Sequence, residues 1–555
     1  MATGQLDDVL RQLGTGPWNL LHFLVVAYGV SLPSPHTLAG AFLAPKVNYT
    51  CTSYDDDDFD ASNNTYHTTT LITKDECSVV QQLEPSGLVE EHFCTQWLFD
   101  TSTFTTTVTA EFSLVCEWEY LRATYQSIYM LGVFVGAPLN GLLADRYGRK
   151  RTLGIAYVIY TILSVVSSWL PGFTLLLLSR FILGTTHATI LKTGFILAME
   201  MSSPNVRSVL GITVFLPWAL GTMAWGGAAY LLREWRWLQL AVSLPWFLLL
   251  PAVWFMDESP RWLSVRGRYQ EALAVLKRAA RWNKAALPPD PRLLLILQDN
   301  QHEVIRGVKD NQEGSSLKRK LSNVFILFRT PRLRVISMVT FVDYLVVGMV
   351  YFGLSLSGGH YTSDVFTYMV LTGVMELPAY TLMAPVVARC GRRLPLATGY
   401  LLSAVVLLAL TVLPSGGGWV VMSLAMAGKV TISVAFQVLN LQASELFPTE
   451  VRTRGASTAF MMSRVGSMAS PFITEYLGSV YPWAPSVMFG VSSVVAGVAT
   501  LALPETLDAV LPDTIAQLEN RRDGDEYRGF LRLPTKASKQ PPQELQYLHH
   551  HTPKH

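Results

Sequence analysis

Apolar runs recur along most of this 555-residue chain. Each is close to the roughly 20 residues that carry a helix across a bilayer core of about 30 Å. Twelve runs start near Trp18, Ala123, Leu153, Phe173, Ser208, Trp235, Leu333, Val365, Leu394, Gly418, Gly455 and Trp483. Two long hydrophilic stretches interrupt them, one after the first run and one after the sixth. The pattern predicts an all-α membrane protein of 12 transmembrane helices. Its parts are an N-terminal segment 1–17, helix 1 at 18–43, a loop 44–121, helices two to six at 122–256, a loop 257–332, helices seven to twelve at 333–506, and a tail 507–555. The first run has neither a basic n-region nor a small-residue cleavage site, so it is expected to remain as a membrane helix rather than be removed as a signal peptide.

Composition and charge add orientation. Half of the residues are hydrophobic and 15% are charged, against about 25% in soluble domains, and the mean hydropathy is +0.29. The net charge of +2 says nothing about nucleic acid, but there is no basic tail or face, so no nucleic-acid partner is expected and the lipid bilayer is the surrounding partner. Residues 47–121 hold one basic residue, Lys74, beside the acids Asp55 to Asp58. Arg146, Arg149, Lys150 and Arg151 follow the second run, and Arg389, Arg392 and Arg393 follow the eighth. Basic loops stay cytoplasmic, so the acidic loop is expected outside, both termini inside, and the chain in the plasma membrane. Four of five cysteines (Cys51, Cys77, Cys94 and Cys116) fall in the acidic loop. An even number in an oxidising compartment reads as two disulfides, with three pairings open. Cys390 is expected to stay reduced. Asn48 and Asn63 open glycosylation sequons in the same loop.

The two halves echo each other. Gly148-Arg149-Lys150 and Gly391-Arg392-Arg393 stand 243 residues apart, Glu200 and Glu445 stand 245 apart, and Glu258 and Glu505 stand 247 apart. Arg207 and Arg452 each follow their glutamate by seven residues. A duplicated unit places a site at the midplane between halves that rock about it. Asp145, Arg149, Glu200, Arg207, Glu258, Arg261, Arg392, Glu445, Arg452 and Glu505 are the candidate gating residues at the basic face. Asp145 is expected near a helix N-terminus, with the arginines bridging to Glu200 or Glu258.

The stretch Gly141 to Arg151 resembles the signature of the major facilitator superfamily. Further stretches resemble its organic cation, carnitine and organic anion transporter family: Thr109-Ala-Glu111, Glu234-Trp235-Arg236-Trp237, Glu258-Ser-Pro260-Arg261-Trp262, Tyr351-Phe-Gly353, Glu376-Leu-Pro378-Ala-Tyr380, Glu445-Leu-Phe-Pro448 through Arg452, and Leu511-Pro-Asp-Thr514. The resemblance implies two six-helix halves, a large outer loop after helix 1, transport of small organic ions or zwitterions by alternating access, and no enzymatic activity. It implies no cofactor, with coupling to sodium, protons or a counter-solute open, and a monomer as a sufficient unit. There is no Walker loop, HExxH or catalytic triad. A non-transporting receptor-like homologue is the reading from another class.

Ionisable residues inside membrane spans mark function. Lys192, Asp343, Glu376, Lys429 and Arg464 fall in predicted spans, with Asp343 and Lys429 expected nearer a boundary. The family tends to have an arginine at the Arg464 position in anion and carnitine carriers and an aspartate in cation carriers. A guanidinium can clamp a carboxylate through two bonds. Glu376 is an acid at a position common in cation and carnitine carriers, and Tyr380 stands where anion carriers tend to have lysine. One charge of each sign suits a carnitine-like zwitterion; an organic anion is the alternative. Lys192 reads either as a substrate contact or as the partner of Glu376. Phe195, Trp218, Tyr344 and Tyr351 match cavity positions of the family, with Phe436, Gln437 and Phe460 as further walls. Trp235, Trp419 and Trp483 are expected as interface anchors.

Overall fold

In the computed structural model the described residues are 5–54, 69–73, 77–83, 88–310, 325–362, 364–413, 418–448, 451–507 and 514–519. Asn63 and Leu511, with most of the tail, lie outside them. Among the described residues nine helices are long and apolar enough to cross a membrane.

The N-terminal segment forms an amphipathic helix, α1 (Gln5–Leu13), whose Leu6, Val9, Leu10 and Leu13 are buried. The first apolar run folds as α2 (Pro17–Ser31). Pro33 then starts a short turn, Pro33–Thr37, because proline cannot donate to the preceding turn. Next come α3 (Tyr120–Tyr147), α4 (Arg149–Val166), α5 (Phe173–Met201), α6 (Leu216–Leu231) and α7 (Trp235–Ser243). The second hydrophilic stretch is helical too, with α8 (Tyr269–Asn283) and α9 (Asp290–Asp310). Asn283 of α8 ties this unit to α2 by accepting from the Trp18 backbone N–H at 3.1 Å. The second half contains α10 (Pro331–Leu356), α11 (Val365–Cys390), α12 (Arg393–Leu410), α13 (Trp419–Leu446), α14 (Arg452–Pro471) and α15 (Ala484–Thr500).

The all-α expectation needs correction. The first hydrophilic loop holds a four-stranded antiparallel sheet in the order β1-β4-β3-β2. Its strands are β1 (Tyr49–Tyr54), β2 (Thr69–Thr73), β3 (Ser78–Leu83) and β4 (Leu88–Phe99). Threonine- and valine-rich runs suit a pleated ribbon, but a hydropathy window reads them only as polar. The disulfides are Cys51–Cys94, across β1 and β4, and Cys77–Cys116, which ties β3 to the approach to α3. Asn48 is exposed at the start of β1, and Cys390 is a free, exposed thiol. The bundle therefore has a sheet face, and opposite it a motif face carrying Gly148 and Gly391.

The halves meet along two helix pairs. Ser127 of α3 donates to the Met468 carbonyl of α14 at 2.7 Å. A Cβ on Gly226 of α6 would stand 3.0 Å from the Phe366 carbonyl of α11. Small residues at such crossings let helix backbones approach closely. Trp419 and Trp483 are exposed, as anchors should be, but Trp235 is 1% exposed. Its indole donates to Glu111 at 2.8 Å, and Arg236 clamps the same carboxylate, joining the loop before α3 to α7.

Candidate functional site

The duplicated motifs build duplicated geometry. Gly148 and Gly391 have φ of +103° and +83°, a region that disfavours any side chain. A Cβ there would meet Glu258 at 2.3 Å and Glu505 at 2.5 Å. Each glutamate caps the helix that follows. Glu258 accepts from the backbone N–H of Arg149 at 2.9 Å and Lys150 at 3.1 Å. Glu505 accepts from Arg392 at 2.9 Å and Arg393 at 3.1 Å. Negative charge is favoured at a helix N-terminus. The acid at the start of α4 is therefore Glu258, and Asp145 sits in the last turn of α3 instead, 3.1 Å from Arg149. Arg149 reaches Glu200 at 3.3 Å, and Arg392 reaches Glu445 at 3.0 Å. Arg452 donates to the Phe447 carbonyl at 3.3 Å.

Each of these clusters stays inside its own half. The first half has an addition that sequence reasoning missed. Asp7 of α1 bridges Arg207 and Arg261, each at 2.7 Å. Partial burial works against the Asp7 charge, but the two guanidiniums outweigh it and hold the carboxyl below its ordinary range.

A cavity of about 540 Å³ lies between the halves. On the first half, α5 presents His187, Leu191, Phe195 and Met199 at intervals of four, one face of a helix, and α6 adds Trp218. On the second half stand Tyr351, Tyr380, Phe436, Gln437, Asn440, Phe460 and Arg464. Met199, Arg207 and Ser444 line the end toward the motif face. The sheet-face end is shut by Arg122 of α3, which bonds Glu475 at 2.5 Å. Among the described residues this is the one ion pair between halves. Phe366 stacks on Phe42 at 5.5 Å and meets Phe104 at 5.6 Å on the same side.

The charges in and around the cavity are unevenly matched. Glu376 is 1% exposed and faces Lys429, not Lys192, at 3.3 Å. It also accepts from the hydroxyls of Tyr351 and, at 3.5 Å, Tyr380. Lys429 is 1% exposed, donates to Ser355 at 2.6 Å, and lies over the Tyr351 ring. Asp343 is likewise fully buried. Arg464 and Lys192 flank one aromatic ring, 5.0 and 5.2 Å from the centre of Phe460. Neither has a carboxylate within 4 Å among the described residues, and the buried Nε of Arg464 has no acceptor. Tyr344 stands behind the wall, donating to Asn440 at 2.9 Å and packing on Phe436 and Phe460. Trp218 donates to the Tyr351 hydroxyl across the halves at 3.2 Å.

The sequence profile of the family described as "Sugar (and other) transporter" matches residues 95–512. An "Organic cation transporter protein" of Drosophila melanogaster is 30% identical, covering 93% of this chain and 94% of that protein. The chain belongs to the organic cation, carnitine and organic anion transporter family of the major facilitator superfamily. "Solute carrier family 22 member 12" of Rattus norvegicus is 32% identical over 77% of this chain and 75% of its own length. "Organic cation/carnitine transporter 2" of Homo sapiens is 29% identical over 92% of this chain and 93% of its own. The inward-open xylose transporter XylE from E. coli has the same fold, with a TM-score of 0.57 at 16% identity, covering 90% of this chain and 97% of that one. Membership makes this a multi-pass membrane transporter. It leaves the cargo of this particular cavity to be argued from its own side chains.

Proposed function

We propose that this family member carries small organic ions across the plasma membrane by alternating access, and that its preferred substrate presents a carboxylate to Arg464. The three helices beyond the nine most apolar ones complete the count of twelve. α2 is broken by proline, α15 is short, and α14 is polar because it lines the cavity. On this reading the disulfide-bonded sheet is extracellular, with Asn48 and Asn63 as its glycan sites, and the motif face and both termini are cytoplasmic. The domain boundaries follow the helices above. Cavity and closed sheet face together correspond to a state open to the cytoplasm, driven by a coupled ion, a counter-solute or the gradient itself.

One observation carries the substrate class. The Glu376 carboxylate is already matched by Lys429, whereas Arg464 in the cavity wall, and Lys192 beside the same Phe460 ring, have no matching acid among the described residues. A zwitterion would require Glu376 to exchange Lys429 for the substrate's ammonium, so the charge balance favours an aromatic or aliphatic carboxylate. Phe195, Trp218, Phe436 and Phe460 supply its apolar surroundings. Among the relatives' names are both organic cations and carnitine, so the uptake assay must span all three charge types. Labelled p-aminohippurate, carnitine and tetraethylammonium would be offered to oocytes expressing the wild type or Arg464→Ala. Uptake of p-aminohippurate, lost in the variant, is the expected result. Carnitine uptake alone would restore the zwitterion reading, and tetraethylammonium uptake indifferent to Arg464→Ala would overturn both. No uptake at normal surface expression would favour a receptor-like homologue.

A further inference from the structure

A second buried cation lies apart from the cavity. Arg180 of α5 is 0% exposed, and its guanidinium sits between the rings of Tyr125 and Tyr129, 4.7 and 4.5 Å from their centres. These tyrosines are four apart on α3, so their rings form one clamp. None of the three guanidinium nitrogens has an acceptor, and among the described residues no carboxylate lies within 4 Å. Arginine cannot shed its proton inside a protein, and a buried charge left without compensation costs several kcal/mol. Aromatic faces compensate only part of that.

The polar groups around it are short of partners. Among the described residues the buried Tyr125 hydroxyl has no partner. Nδ1 of His36 has none either, but its Nε2 lies 3.5 Å from the Ser243 hydroxyl, which already donates to the Gln239 carbonyl, so Nδ1 is an unused acceptor. His36 packs edge-on against Tyr160 at 5.4 Å, and the Tyr160 hydroxyl lies 3.0 Å from that of Tyr129. The Tyr129 hydroxyl lies 2.8 Å from Nδ1 of His187. A buried cation with no acid within reach, clamped by a tyrosine whose hydroxyl has no partner among the described residues, is the chemistry of an anion site. His36, Tyr125, Tyr129 and Arg180 are each 1% exposed or less, so only a small occupant fits.

We propose that Arg180 and Tyr125 hold a small inorganic monovalent anion, chloride in size and charge, inside the first half. The anion locks α3 to α5 as the counter-charge that the chain itself omits. It is not transported substrate, because Tyr129 separates it from the cavity. Through the Tyr129–His187 bond its occupancy sets the orientation of a cavity side chain.

The test uses the purified full-length protein. Unfolding midpoints are measured as sodium chloride replaces sodium gluconate at constant ionic strength. A ligand that binds only the folded state raises stability saturably with concentration. The expected result is a saturable rise of a few degrees with chloride and with bromide. That rise should vanish in Arg180→Gln and persist in Arg464→Gln. Tyr125→Phe, a milder change, should shift the half-saturating chloride concentration upward several-fold, which keeps the proposal testable if Arg180→Gln does not fold. Anomalous scattering from bromide beside the Arg180 guanidinium would place the ion directly. A midpoint indifferent to chloride would mean that only water fills the site and would overturn the proposal. A rise lost in Arg464→Gln and kept in Arg180→Gln would move the ion to the cavity and overturn it equally.

Discussion

At the scale of single residues, Arg464 and the Glu376–Lys429 pair make opposite predictions. Arg464→Lys keeps the charge but loses the planar fork that meets a carboxylate with two bonds. Uptake of an organic carboxylate should fall by about 10-fold or more, the scale of one charge-assisted bond, with surface expression unchanged. Glu376→Gln instead strands Lys429 in the interior. Breaking a buried pair from one side costs about 3–5 kcal/mol, so the unfolding midpoint should drop sharply. The double change Glu376→Gln with Lys429→Met should recover most of the loss, since it removes both charges. Sequence exposed Arg464, Glu376, Phe460 and the other aromatic walls because charge and aromatic side chains inside a span are conspicuous. It did not pair Glu376 with Lys429, since position along a helix does not say which way a side chain turns. It missed His187 and Asn440 altogether. The four-residue stripe from His187 through Leu191 and Phe195 to Met199 could have flagged the histidine, whereas nothing local marks Asn440.

At the scale of elements, close crossings and caps dominate. α10 and α14 touch so closely that a Cβ on Gly466 would lie 2.0 Å from the Leu345 carbonyl, and one on Gly348 would lie 2.1 Å from the Ser463 carbonyl. Backbone cannot yield as a flexible side chain does. Gly466→Ala should therefore lower the folded yield in detergent and move Arg464 relative to Phe460, read as a loss of uptake beyond the loss of protein. The amphipathic α1 is held by Asp7, whose carboxyl titrates below its ordinary value of 3.8. A depressed acid stabilises above its unfolded pKa and loses that contribution as pH falls through the folded value. Hydrogen exchange of α1 should thus be slow and flat from pH 5 to pH 8, faster throughout that window in Asp7→Asn, and alike in the two once the pH has fallen below the depressed folded value. Helix starts followed the apolar runs, with α14 beginning at Arg452 against an expected Gly455, but α6 begins at Leu216 against an expected Ser208. The sheet and helices α8 and α9 were not, because a search for 20-residue apolar runs is blind to amphipathic and alternating patterns.

At the scale of the whole molecule, the internal repeat was the most readable feature, and its near-constant spacing reappears as matched caps at Gly148 and Gly391. What sequence could not supply was which contacts cross between the halves. At the motif face the ion clusters are internal to each half, so separation there breaks none of the described pairs. At the sheet face Arg122 and Glu475 must part, together with the rings around Phe366. Glu475→Gln should therefore loosen that face. In a Cys390→Ser background, a thiol placed by Ser127→Cys should react with a membrane-impermeant reagent from the sheet side several-fold faster once Glu475 is neutral.

The Arg122–Glu475 pair has a kinetic consequence. A carrier whose unloaded form is latched on one side idles facing the other, and the return of the empty protein becomes the slow step of each turnover. Solute waiting on the far side of the membrane then shortens the wait, because the loaded protein reorients without pausing. Exchange should outrun net flux in this molecule, and the gap should narrow when Glu475 loses its charge.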